Sequence, residues 1–326
     1  MKTWPCYSPE ELLKRSLELK REWHENYFVM YSSVWNGFST NPELWGVPAD
    51  DHMVHRADGV FEAFKCVKGR VYCLNEHLER LRRSAAALSL KLPPVLDDVL
   101  DVLKQAYVLG GKRDFQGRIC VSRGPGSFSV NPYESKGPEL YLVTLRLKKI
   151  PRETILQGVT MATSPFPAKT EFAGVKSVDY LHNALARKAA LDLGAEYAAS
   201  FDREGCLTEG PTENIVVVTK DGELVVPEWK RILKGITLGR VLERAGELIE
   251  KGLLKSAGNR DLRREELPGI AQEVFLTATT YDVLPVRSWD GAPVGSGKSG
   301  PVALEFARLL EEEALSDNPH TVSLES

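Results

Sequence analysis

Hydrophobic and polar positions along this chain alternate between a helical period and a strand period. Ser8-Pro9-Glu10-Glu11 reads as a capping box with proline at the first helical position, and Leu12, Leu13, Leu17 and Leu19 follow on an apolar face. A helix is predicted there, and residues 27–34 then turn β-like. Residues 36–51, rich in Gly, Pro, Asn and Asp, read as a loop. Strands are predicted at 59–67 and 70–74 around a Lys68-Gly69 turn. Amphipathic helices follow at 76–90 and 95–108, with Pro93-Pro94 between them. Strands at 118–122 and 139–147 complete this half, and Pro151 opens a connection.

The second half repeats the alternation. It predicts a strand at 158–163, a loop through 170–174, a helix at 180–193 and strands at 196–201, 214–219 and 223–226. A helix at 238–251, strands at 273–277 and 283–287 and a last helix at 301–315 follow. The residues after it read as a loose tail. The order is α+β, an α/β chain in two domains: residues 1–150, opening with a helical extension, and residues 151–326.

Composition narrows the function classes. Of 326 residues, 43% are hydrophobic and 27% charged, which is the profile of a globular chain with ample core. Forty-two Lys and Arg against 45 Asp and Glu leave a formal charge of -3. Without a basic tract there is no electrostatic footprint for nucleic acid or an anionic membrane. No apolar run approaches the ~20 residues of a membrane span, and the first residues lack the apolar core of a signal peptide. The five cysteines are scattered and never in a C-x-x-C pair, which fits a reducing compartment and predicts a cytoplasmic protein without a disulfide framework or structural zinc.

Several motifs have plain readings. Gly295-Ser296-Gly297-Lys298-Ser299 resembles the end of a phosphate-binding loop, but Ala292 stands where its first glycine belongs, so it reads as a turn before the last helix. His52 and His55 have no partner cluster of metal ligands, and no G-x-S-x-G occurs. Three segments carry more. Thr208-Glu209-Gly210-Pro211-Thr212-Glu213-Asn214 sets two acidic residues in a turn before an apolar strand. Lys234-Gly235-Ile236-Thr237 sets Gly and Thr at a helix start, where free N–H groups favour a phosphate. Thr277-Ala278-Thr279-Thr280 adds a second hydroxyl-rich turn.

With Asp58-Gly59-Val60-Phe61-Glu62, Glu76-His77-Leu78-Glu79-Arg80-Leu81 and Val175-Lys176-Ser177, and with Pro285-Val286 joined to Thr279, these segments form six anchors in order. In them the chain, from about residue 53 to 310, resembles the class IV (fold type IV) pyridoxal-phosphate aminotransferases. That family includes branched-chain and D-amino-acid aminotransferases and aminodeoxychorismate lyase. The resemblance implies a smaller N-terminal α/β domain, a larger C-terminal pseudo-barrel and pyridoxal 5'-phosphate in the cleft between them. It also implies a homodimer in which a partner loop helps close the site.

Residue by residue, it implies that Lys176 bonds to the cofactor aldehyde and, once freed, shuttles a proton. Glu209 would pair with the pyridine nitrogen. Arg80, Ile236, Thr237, Ala278 and Thr279 would hold the phosphate. The substrate side would include Phe61, with Arg118 where branched-chain enzymes carry a substrate-carboxylate arginine. It would also include Arg56, at a pocket tyrosine, and Lys65, in place of the arginine of F-E-G-I-R. Gln116 and Leu238 depart from the branched-chain pattern in the same way.

The R-x-H trap of D-amino-acid enzymes is absent from the Gly124–Ser129 loop, while Arg56 and Arg118 offer a different carboxylate site. Ser122-Arg123-Gly124 echoes the lyases, whose threonines are replaced by Glu62-Ala63. The expected activity is amino transfer between an α-amino acid, branched-chain-like or glutamate, and a 2-oxo acid. The D-amino-acid and pyruvate-eliminating lyase activities are the alternatives. A non-catalytic binding module would be expected to lack Lys176 or Glu209, and both are present.

Overall fold

The computed structural model describes residues 1–168 and 171–325, so the Thr170 end of the expected 170–174 loop lies outside the described residues. Helix α1 (Pro9–Glu18) leads into β1 (Tyr27–Ser32), β2 (Gly37–Ser39), α2 (His52–Arg56), β3 (Gly59–Val67) and β4 (Arg70–Tyr72). Helices α3 (Leu74–Ala87) and α4 (Val99–Leu109) precede β5 (Phe115–Ser122) and β6 (Glu139–Arg146). Next come α5 (Arg152–Gln157), β7 (Val159–Thr163), α6 (Leu181–Asp192), β8 (Tyr197–Ala199), β9 (Asn214–Thr219) and β10 (Glu223–Val226). Then follow α7 (Ile236–Glu250), β11 (Ser256–Asn259), α8 (Leu267–Ile270), β12 (Ala271–Ala278), β13 (Asp282–Trp289), β14 (Ala292–Pro293), α9 (Pro301–Leu315) and β15 (Thr321–Ser323).

The strands form two sheets, β15-β4-β3-β5-β6-β1-β2 and β11-β10-β9-β12-β13-β7-β8, with β14 added to β13. The chain passes from one to the other between β6 and β7. One face of the first sheet is sealed by α3 and α4 over Phe64, Leu81, Leu103, Phe115 and Ile119. Along β12 the two-residue period sends Phe275 toward α7 and α9, while Val274 and Leu276 enter a separate core on the opposite face.

Several boundaries move for physical reasons. The Ser8 capping box forms as expected, but Leu12, Leu13, Leu17 and Leu19 all stay exposed, so the apolar face of α1 is not buried in the core. Leu74 begins a helix instead of ending a strand, because Cys73 turns the chain through a left-handed backbone with φ 53°. The tail is not loose. Its β15 pairs with β4, and Leu324 is buried in the first core. His52 packs inside with Nδ1 3.3 Å from Asp58 Oδ2.

Where the sheets meet, the backbone on either side of Lys176 is bonded to β3. Phe61 N–H donates to Lys176 O at 3.0 Å, and Val178 N–H donates to Gly59 O at 3.0 Å. A side chain at residue 59 would bring Cβ within 2.9 Å of Val121 O on the neighbouring β5, so glycine keeps β3 clear of β5 at this point.

Candidate active site

Lys176 N–H also donates to Ser84 Oγ at 3.1 Å, so the lysine backbone is held from α3 as well as from β3. Its Nζ donates to Tyr180 OH at 3.3 Å and lies 4.7 Å from the centroid of Phe61. Burial, reinforced by the charge of Arg80, pushes the ammonium down to about 8. A minor but appreciable fraction of the amine is therefore neutral near physiological pH, the form a nucleophile needs. Tyr180 is missing from the residues singled out in the sequence. Its placement four residues after Lys176, where the chain enters α6, is the signal that could have found it.

Arg80 projects from α3 into the same cavity, which has a volume of about 240 Å³. Behind it lies Glu62 of β3, 0% exposed. Arg80 Nε donates to Oε1 and Nη2 to Oε2, each at 2.7 Å, and Nη1 donates to Lys234 O at 3.0 Å. His77 Nδ1 lies 2.7 Å from Glu62 Oε2, and burial lowers the pKa of its imidazole. Burial alone would push the Glu62 carboxyl up, but the charge and hydrogen bonds of Arg80, with His77, bring it down to about 2. Three of the guanidinium's five N–H donors are thus engaged, and its position is fixed. The sequence anchor Asp58–Glu62 contains Glu62 without revealing this partnership, which arises from packing between a strand and a helix.

Glu209 faces the cavity beside Lys176. Its Oε2 accepts from Leu233 N–H at 3.1 Å and Asn214 Nδ2 at 3.0 Å, and the same amide donates to Leu233 O at 2.8 Å. Burial pushes the carboxyl up to about 8, against the downward pull of Leu233 N–H and Lys176. A cationic ring nitrogen beside it would hold it ionised. Asn214 also presses on Gly235, where an added Cβ would sit 2.0 Å from Asn214 Oδ1. Gly235 caps α7 without a side chain, leaving the first N–H groups of that helix uncovered, with Thr237 beside them. Ile236, Ala278 and Thr279 line the same cavity.

On the substrate side, Phe61 and Arg118 also line the cavity. The Arg118 guanidinium lies 4.9 Å from the centroid of Phe61, the ring that Lys176 approaches, and has no hydrogen bond or ion pair among the described residues. Two of the expected residues lie elsewhere. Lys65, two positions beyond Ala63 along β3, is buried, and its Nζ donates to Asp282 at 2.6 Å and 2.5 Å, so the opposite sheet claims its charge. Arg56 is exposed on α2, where it donates to His55 O and Phe128 O, outside this chain's cavity.

The Amino-transferase class IV family matches residues 59–289. A D-amino-acid transaminase, chloroplastic, of Arabidopsis thaliana is 36% identical over 297 residues, covering 90% of this chain and 79% of the relative. A putative branched-chain-amino-acid aminotransferase of Methanocaldococcus jannaschii is 29% identical over 264 residues, covering 81% and 88%. Among solved structures, a T.th. branched-chain amino acid aminotransferase with pyridoxamine 5'-phosphate superposes with TM-score 0.82 at 27% identity. That match covers 91% of this chain and 99% of the other. The chain belongs to the class IV aminotransferase family, with the fold type IV architecture. It is a transferase that uses pyridoxal 5'-phosphate to move an amino group between amino and 2-oxo acids. The residues fit that cofactor: an amine with its pKa lowered to about 8, a half-buried carboxyl in the same cavity, an uncapped helix start and a fixed guanidinium.

Proposed function

We propose that the amino donor is a small or acidic α-amino acid of D configuration, with its carboxylate on Arg118. The observation that carries this reading is an unpaired guanidinium lining the cavity that holds Lys176. The neighbouring wall is polar, with Gln116, Thr212, Thr280 and Tyr281, and suits a small or hydrogen-bonding side chain better than a branched apolar one. The D configuration follows the 36% identical relative. A second reading, L-glutamate or a branched-chain amino acid, is supported by the likeness to the solved branched-chain enzyme.

Bound pyridoxal 5'-phosphate supplies an aldehyde for the amine and a ring that takes up negative charge from the substrate Cα. In this reading Lys176 would hold the cofactor through its amine and, when free, would take and return the proton at Cα, with Tyr180 OH orienting Nζ. Glu209 would keep the ring nitrogen protonated. Arg80, Ile236, Thr237, Ala278 and Thr279 hold the phosphate, and Phe61 walls the substrate side.

The reading includes a domain division near residue 150 and a homodimer. The exposed apolar side chains Val54, Phe128, Val130 and Tyr133 support a homodimer in which a second copy covers them, with the Phe128 carbonyl accepting from Arg56. Five free cysteines support a reducing, cytoplasmic setting.

The test is the visible band of the loaded protein, titrated with D-alanine, D-glutamate, L-leucine and L-glutamate. Loss of the band with the D compounds alone is expected. Loss with L-leucine or L-glutamate alone would overturn the configuration, and a band unchanged by all four would overturn the substrate class.

A further inference from the structure

Thr277 is 2% exposed, and its hydroxyl is buried without a hydrogen-bond partner among the described residues. A threonine in such a place loses its bonds to water and gains nothing in return, which costs stability unless something else completes it. The residue lines the cavity that contains Lys176, Arg80 and Glu209.

Strand register shows which way the side chain faces. Thr277 lies directly opposite Asn214 of β9 and Val283 of β13, and residues directly opposite share a face. Asn214 reaches along that face to Glu209 and to the Cα of Gly235. Val283, and Phe275 two positions back on the same face, pack in one core with Leu238 in the first turn of α7. Thr277 therefore looks at the start of α7 from its own sheet, while Arg80 reaches the nearby Lys234 from the side of the first sheet.

We infer that the Thr277 hydroxyl is a further donor to the cofactor phosphate, completing from below a cradle made by Arg80, Thr237 and Thr279. This rests on the reading that the phosphate sits at the start of α7. Among the described residues the hydroxyl has no competing acceptor, so it enters the site with its hydrogen free. Its satisfaction on binding couples cofactor uptake to relief of an unpartnered group.

The experiment compares apoprotein affinities for pyridoxal 5'-phosphate and for pyridoxal, which lacks the phosphate, in wild type, Thr277→Val and Thr277→Ser. Valine keeps the branched shape and removes the hydroxyl. The expected result is an affinity for pyridoxal 5'-phosphate about fivefold to tenfold weaker in Thr277→Val, an unchanged affinity for pyridoxal, and recovery in Thr277→Ser. The Thr277→Val apoprotein should melt no lower than wild type, whereas a purely structural hydroxyl would lower the melting temperature. Equal weakening toward both compounds, or none toward either, would overturn the inference. If wild type itself bound the two compounds equally, the phosphate position would fail first.

Discussion

Glu62 holds Arg80 from behind through two parallel bonds of 2.7 Å, so a fully buried carboxylate fixes the guanidinium that faces the cavity. Removing the charge of Glu62 strands a buried arginine, a change that costs about 3–5 kcal/mol. Glu62→Gln should therefore unfold at lower urea as apoprotein and bind pyridoxal 5'-phosphate more weakly. The Glu62 carboxyl sits at about 2, below its ordinary 4.5, so its stabilisation is full above that ordinary value and is lost as pH falls toward 2. The stability gap between wild type and Glu62→Gln should close across that window, as followed by urea unfolding at a series of pH values.

Lys176 must lose a proton before it can attack an aldehyde, and its ammonium is pushed down to about 8, first by burial and then by Arg80. Uptake of pyridoxal by the apoprotein should accelerate as pH rises through about 8 and level off above it. Stopped-flow absorbance measures this. Removing a neighbouring positive charge raises the lysine pKa, so Arg80→Gln should shift the midpoint upward.

Arg118 is the cation of this cavity with no hydrogen bond or ion pair among the described residues, so a substrate carboxylate is the group that would complete it. A charge-assisted bond of this kind contributes about 1.5–3 kcal/mol. Arg118→Gln should raise the KM of the amino acid about tenfold to a hundredfold while cofactor affinity stays near wild type. Steady-state kinetics with separate cofactor titration would check both.

The C-terminal segment should matter to stability far more than its position suggests. Leu324 is buried against the first core, and its N–H donates to Gly69 O at 2.8 Å. Leu324→Ala should cost about 2–3 kcal/mol in urea unfolding through lost burial and a residual cavity.

Much of the architecture was readable from local patterns. Residues 59–67, 214–219, 223–226 and 301–315 have the same bounds in the structure as in the sequence reading, because short apolar runs bounded by turn residues, and a proline start, leave few alternatives. Helix α7 starts two residues before its expected position because Gly235 caps it without a polar side chain. β15 was missed because its partner strand lies some 250 residues earlier in the chain and its own composition is that of a tail.

The site divides in the same way. The family resemblance carried by the motifs pointed to Lys176, Glu209, Arg80 and the two turns. It could not show that Asp282, 217 residues away, would take the charge of Lys65, or that Glu62 would bind both Arg80 and His77. Ion pairs between packed elements depend on packing that no short window contains.

The covalent role of Lys176 can be read directly by borohydride reduction of the protein loaded with pyridoxal 5'-phosphate, followed by peptide mass mapping. The expected result is one cofactor-derived adduct on the peptide containing Lys176, absent in Lys176→Ala. An adduct on another lysine in the wild-type protein, with Lys176 unmodified, would contradict the account at its centre.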